Sequence, residues 1–198
     1  MTFTVLTVCT GNICRSPLAE LILAESLSGI RDVRVESAGT GALVGHGMPD
    51  PALRLAREDG FAGESHRARQ ISEKLIGDAG LILALSREHR RAVVSLVPSA
   101  VRRTFTLREL ANIVPAAQSS ASDSTQRSTS DSAEALKDAV ALAARLRGTV
   151  PPPEDPADFD VIDPFRRSEA TYQLSYTQLK PAAVAVGLYL RRSAEASS

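Results

Sequence analysis

Residues Phe3 to Cys9 (FTVLTVC) form a short run of apolar and β-branched side chains that stops at Thr10-Gly11-Asn12. Such a run predicts a strand buried on both faces. Ser16-Pro17 then predicts a helix start, with serine as the cap and proline at the first helical position. Leu18, Leu21, Ile22, Leu23 and Leu27 give that helix a broad apolar face ending near Gly29. Strand, glycine-containing turn and capped helix make half of a βαβ unit. Alternating valines predict a second strand over 32–37, left through a loop from Ala38-Gly39-Thr40-Gly41 to Gly45-His46-Gly47. A helix is expected from Pro51 to Glu58, and the continuous apolar run 80–85 (GLILAL) reads as a third strand. A helix over 86–97 and a strand over 101–106 complete a fourth βα step. The alternation predicts an α/β fold: an open four-stranded parallel sheet, helices on both faces, ligands at the carboxyl ends of the strands. The first such end is Cys9.

The segment 116–134 (AAQSSASDSTQRSTSDSAE) breaks the pattern. It holds no Val, Leu, Ile or aromatic residue, so it is expected to remain disordered. Ala135 to Leu146 is helical by composition, and Pro151-Pro152-Pro153 stiffens the return. The chain therefore reads as a single domain, 1–198, interrupted at 115–156 by a disordered Ser-rich stretch, a short helix and a proline-rich return. Residues 116–133 are expected to be a dispensable linker. A last helix over 168–192 carries Tyr172, Tyr176, Leu179, Ala183, Val186 and Leu190 at spacings of three and four, a core stripe. Pro181 is expected to kink or restart it.

Composition narrows the function classes. The 23 basic residues balance 23 acidic ones, so the footprint of a nucleic-acid binder is missing. Aromatics are 4% with no Trp, too few for a base-stacking platform. No apolar stretch is long enough to span a membrane, and the N-terminus lacks the pattern of a signal peptide. The two cysteines are too few for a disulfide scaffold or a four-ligand zinc site. His46, His66 and His89 stand apart in the sequence. These features predict a cytoplasmic chain with reduced thiols and without metal or organic cofactor.

The chemistry is concentrated in Val8-Cys9-Thr10-Gly11-Asn12-Ile13-Cys14-Arg15-Ser16-Pro17. A loop between strand and helix turns backbone N–H groups inward, and the helix N-terminus adds partial positive charge. Residues Thr10, Gly11, Asn12, Ile13, Cys14 and Ser16 thus form a cup for a tetrahedral dianion. Arg15 on its rim can grip two phosphate oxygens at once. Cys9 at the base sits in a field that favours a thiolate nucleophile. No GxxxxGK[ST] is present, and Gly39-Thr40-Gly41 lacks the third glycine of a dinucleotide fingerprint.

The block VCTGNICRSP resembles the active-site loop of low-molecular-weight protein-tyrosine phosphatases. Ser37-Ala38-Gly39-Thr40, His66-Arg67-Ala68-Arg69-Gln70 and Asp163-Pro164-Phe165 are similar to three further motifs of that family, in the same order. The resemblance covers about 3–113 and 157–192. It implies hydrolysis of protein phosphotyrosine through a phosphocysteine on Cys9, with Asp163 as general acid and then base. It also implies that Asn12, Ser37 and His66 hold the loop in shape, that Ser16 supports the thiolate, and that the partner is a phosphotyrosine protein or peptide met by a monomer or weak homo-oligomer. Cys14 is close enough in sequence to form a reversible disulfide with Cys9. Alternatives on the same fold are thiol-dependent arsenate reduction, phosphoarginine hydrolysis and phosphopeptide binding without catalysis. No cysteine follows Cys14 to relay a disulfide. Ile13 stands where the phosphoarginine enzymes resemble the loop with Thr, and Cys9, Arg15 and Asp163 are all retained. Leu43, Val44 and Arg166 stand where the family often has ring-walling aromatics.

Overall fold

The computed structural model describes residues 2–123 and 131–196, the side chains of 121–123 excepted. Four parallel strands, β1 (Phe3–Cys9), β2 (Val33–Gly39), β3 (Leu81–Ala84) and β4 (Thr104–Thr106), form one sheet in the order β2-β1-β3-β4. Cys9 pairs in register with Gly39, and Val8 with Ala84. Because β2 and β3 lie on opposite sides of β1, the chain reverses direction across the sheet there. In open α/β sheets that switch point is the crevice where ligands bind.

Alternation along β1 explains its apolar run. Phe3 and Val5 point into the larger core with α1 (Arg15–Ser26), α2 (Asp50–Glu58), α5 (Leu107–Asp123), α6 (Ser132–Leu146) and α7 (Glu169–Glu195). Leu6 and Val8 point to the other face, against α3 (Glu73–Asp78), α4 (Arg87–Leu96) and the 3-10 turn Pro98–Arg103. With both faces covered, no polar side is needed. The four-stranded parallel sheet with helices on both faces is thus the observed fold.

Three local expectations change. Ser16 is not the helix cap: α1 starts at Arg15 with Cys14 at the cap position and no side-chain cap bond, which releases the Ser16 hydroxyl for other work. Helix α5 continues through Ala116 to Asp123, its Ala117 fully buried; alanine and serine need only modest packing to stay helical. The expected disorder at 124–130 lies outside the described residues. Helix α7 runs through Pro181 as one element, since Leu179, Ala183, Val186 and Leu190 are buried on either side and outweigh one missing backbone hydrogen bond.

The helix expected at 135–146 is present and carries core. Asp131 caps α6 through the Ala133 N–H, and Ala133, Leu136, Ala139, Val140 and Ala143 are buried. Tyr189 on α7 donates to the Ala139 carbonyl at 2.9 Å. Among the described residues no helix is long and apolar enough to cross a membrane.

Candidate active site

At the switch point the chain leaves β1 and winds through residues 10–14 into α1. Asn12 takes φ 54°, the left-handed region that asparagine tolerates better than most residues. Its side chain is the hub of the loop. Asn12 Nδ2 donates to Ser16 Oγ at 3.0 Å and to Ser37 Oγ at 2.8 Å. Asn12 Oδ1 accepts the Arg69 N–H at 2.8 Å, and its carbonyl lies 2.6 Å from His66 Nε2. Ser37 Oγ then donates to the Glu20 carboxylate. The residues predicted to hold the loop, Asn12, Ser37 and His66, are thus brought together around it.

Cys9 is buried, with Ser16 Oγ 3.0 Å from its sulfur. Both hydrogens of Asn12 Nδ2 are committed, one of them to Ser16 Oγ, so the Ser16 hydroxyl hydrogen is left to point at Cys9. The Cys9 sulfur therefore faces a hydroxyl donor. At Cys14, burial pushes the thiol up to about 12, with Tyr172 Oη 3.7 Å from its sulfur. Both cysteines are free.

Among the described residues, the backbone N–H groups of Gly11, Asn12, Ile13 and Cys14 have no hydrogen-bond acceptor. Four such amides in one turn form a nest for an anion. Arg15 is only 5% exposed, so it lies under the cup rather than on its rim. Nη1 donates to the Val161 carbonyl at 3.1 Å and Nη2 meets Asp163 Oδ2 at 2.9 Å. Its buried Nε has no acceptor among the described residues. A guanidinium N–H and four loop amides without acceptors among the described residues are donors of the kind a tetrahedral oxyanion would satisfy.

Asp163 enters from the far end of the chain with its side chain 52% exposed; Oδ2 meets Arg15 and Oδ1 accepts the Phe165 N–H at 3.2 Å, while the carboxyl as a whole stays half open to solvent. The loop after β2 closes the other flank. Thr40 and Gly41 donate to the Cys9 and Thr10 carbonyls at 2.9 and 3.0 Å, and Leu43 to that of Gly11 at 3.0 Å. A Cβ on Gly39 would stand 2.3 Å from the Thr10 carbonyl oxygen, so only glycine permits this approach.

One participant has no motif. His89, near the start of α4 and 3% exposed, lies 2.8 Å from Thr10 Oγ1 through Nε2 and 2.8 Å from Ser86 Oγ through Nδ1. Burial and the Arg15 charge push it down to about 4, so near neutral pH one ring nitrogen donates and the other accepts. An unfolded histidine titrates near 6.5. Between about pH 6.5 and 4 the folded chain binds fewer protons at this site, so stability is lost as pH falls through that window, by up to about 3 kcal/mol. Urea unfolding at neutral and at mildly acidic pH will show a smaller acid loss for His89→Gln than for the parent.

A family model described as low molecular weight phosphotyrosine protein phosphatase matches residues 4–146. A probable low molecular weight protein-tyrosine-phosphatase, EpsP of Ralstonia solanacearum, is 38% identical over 107 residues, covering 54% of this chain and 72% of that protein. Wzb of Escherichia coli (strain K12), a low molecular weight protein-tyrosine-phosphatase, is 43% identical over 94 residues, covering 48% and 62%. Among solved structures, the YwlE arginine phosphatase from Geobacillus stearothermophilus superposes with a TM-score of 0.66 at 25% identity, covering 96% of this chain and 94% of that one.

Proposed function

The chain belongs to the low molecular weight phosphotyrosine protein phosphatase family, and from that premise we propose that it hydrolyses phosphotyrosine in proteins and peptides through a phosphocysteine on Cys9. The observation that carries this reading is the Cys9 sulfur at the start of a turn whose Gly11–Cys14 amides, with the Arg15 Nε–H, lack acceptors among the described residues. The dianion seats on those donors. Cys9 attacks phosphorus in line, so that the S–P bond forms as the P–O bond to the tyrosyl oxygen breaks. Asp163 gives its proton to that departing oxygen. The loop amides and Arg15 stabilise the equatorial oxygens as charge spreads over them. In the second half Asp163 takes a proton from water, whose oxygen displaces sulfur and releases inorganic phosphate. No step needs a metal or organic cofactor. The two buried free thiols suit a reducing compartment such as the cytoplasm.

Substrate class follows from the mouth of the cup. Ile13 is nearly buried beside Gly11, and Leu43 and Phe165 expose apolar surface on the two flanking loops. An apolar surround favours a phenyl ring over a guanidinium group. With EDTA present, a phosphotyrosyl peptide is expected to be hydrolysed at least about tenfold faster than a phosphoarginyl one, measured as kcat/KM. Preference for the phosphoarginyl peptide, or arsenate consumed with a thiol reductant while both peptides persist, would overturn the assignment.

A further inference from the structure

The acid loop gains its position from a residue that touches neither substrate nor nucleophile. Asp160 lies three residues before Asp163, and among the described residues its carboxylate meets a single partner, Arg87 at the start of α4, from several directions. Oδ1 accepts the Arg87 backbone N–H at 2.7 Å, and Oδ2 accepts Nε and Nη2 at 3.1 and 2.9 Å. The Asp160 carbonyl accepts Arg108 Nη1 from α5 at 2.9 Å. Directly after it, the Val161 N–H donates to the Leu85 carbonyl at the end of β3 at 2.9 Å. The Val161 carbonyl takes Arg15 Nη1, and the Ile162 N–H reaches Gln178 Oε1 on α7. Among the described residues Asp163 itself has only Arg15 and the Phe165 N–H.

The same turn into α4 also holds the nucleophile loop. Two residues beyond Arg87, His89 pairs with Thr10, the residue after Cys9. The segment 86–89 is therefore one rigid bracket with an arm on each half of the site, at the β1–β3 switch point. The Arg87–Asp160 pair is part-exposed, at 46% and 28% for the two side chains. Pairs in such positions contribute little to global stability. What several directed bonds to one carboxylate do supply is placement, which a proton donor needs to within about half an ångström.

We propose that Asp160, clamped on Arg87, is a positioning residue that sets the Asp163 carboxyl over the leaving oxygen. This rests on Asp163 being the general acid. Losing the clamp loosens the segment that carries Asp163 while the loop amides and the Arg15–Val161 bond remain, so the deficit falls on leaving groups that need protonation.

The test compares kcat/KM for p-nitrophenyl phosphate, whose leaving group departs readily as an anion, with phenyl phosphate, whose leaving group does not. For Asp160→Ala and Arg87→Leu, phenyl phosphate is expected to fall at least about tenfold while p-nitrophenyl phosphate changes less than about threefold. Thermal midpoints are expected to stay close to the parent, and Asp160→Ala made in an Asp163→Ala background is expected to cost nothing further. Equal losses on both esters, or an undiminished loss in the Asp163→Ala background, would show a general structural role and overturn the proposal. If Asp163→Ala alone shows no dependence on leaving group, the acid assignment is what fails and the positioning role falls with it. Arg87→Leu leaves Asp160 in place and tests the same contact should Asp160→Ala fail to fold.

Discussion

Cys9→Ser is expected to lower phosphotyrosine turnover by at least about four orders of magnitude while leaving substrate affinity within a few-fold. The two quantities separate because different atoms carry them. Affinity comes from the Gly11–Cys14 amides and the Arg15 guanidinium, none of which depends on the sulfur. Turnover needs a charged nucleophile under the phosphorus. The Ser16 hydroxyl, 3.0 Å from the Cys9 sulfur and fed by Asn12, can support a thiolate but cannot ionise an alcohol in the same place. Cys14 cannot substitute, since burial keeps it a neutral thiol and it sits against Tyr172. Calorimetric titration with a phosphotyrosyl peptide, beside steady-state rates, reads both quantities. A large loss of affinity in Cys9→Ser would mean that the sulfur helps to shape the cup.

Asp163→Ala is expected to reduce kcat/KM for phosphotyrosine by about 10²- to 10⁴-fold. A tyrosyl oxygen leaves poorly as an anion, so the proton supplied in the transition state accounts for much of the rate. For p-nitrophenyl phosphate the first step is expected to survive far better. The second step still needs a base for water, so the phosphocysteine is expected to accumulate. Stability is expected to change by less than about 1 kcal/mol, because the Arg15–Asp163 pair has one partner half in solvent. Pre-steady-state release of p-nitrophenolate will show a burst followed by slow turnover. Equal activity of Asp163→Ala on both substrates would place the proton donor elsewhere.

The sequence alone was most informative where chemistry is local. Cys9, Arg15, Ser16 and the amides between them lie in one turn, so their order along the chain already implies their arrangement in space. The α/β alternation likewise follows from hydrophobic periodicity. Which side of β1 each later strand joins does not, because both placements bury the same residues; the β2-β1-β3-β4 order came from the structure. Ser16 misled only as a helix cap, because Ser-Pro is a good helix start; the tight loop begins the helix at Arg15 and leaves the hydroxyl 3.0 Å from the Cys9 sulfur, where the family resemblance had it. His89 was missed since its partner Thr10 lies 79 positions away and carries no chemical signal. In the structure Ser86 caps α4 through the His89 N–H, which fixes where the ring starts from. Asp160 and Arg87 belong to no motif, and only the fold brings α4 against the segment before Asp163. The Ser-rich composition correctly marked a break in the sheet pattern, but it concealed that α5 extends to Asp123 and that α6 returns to the core, where alanine contacts suffice.

The account stands or falls on where the phosphoryl group goes. Asp163→Ala mixed with p-nitrophenyl phosphate, quenched during the slow phase and digested, can be read by tandem mass spectrometry. The account predicts one phosphoryl group per chain on the peptide containing Cys9 and Cys14, with fragment ions placing it on Cys9, and none in Cys9→Ser. Phosphate on any other side chain, or steady turnover with Cys9 never modified, would contradict it.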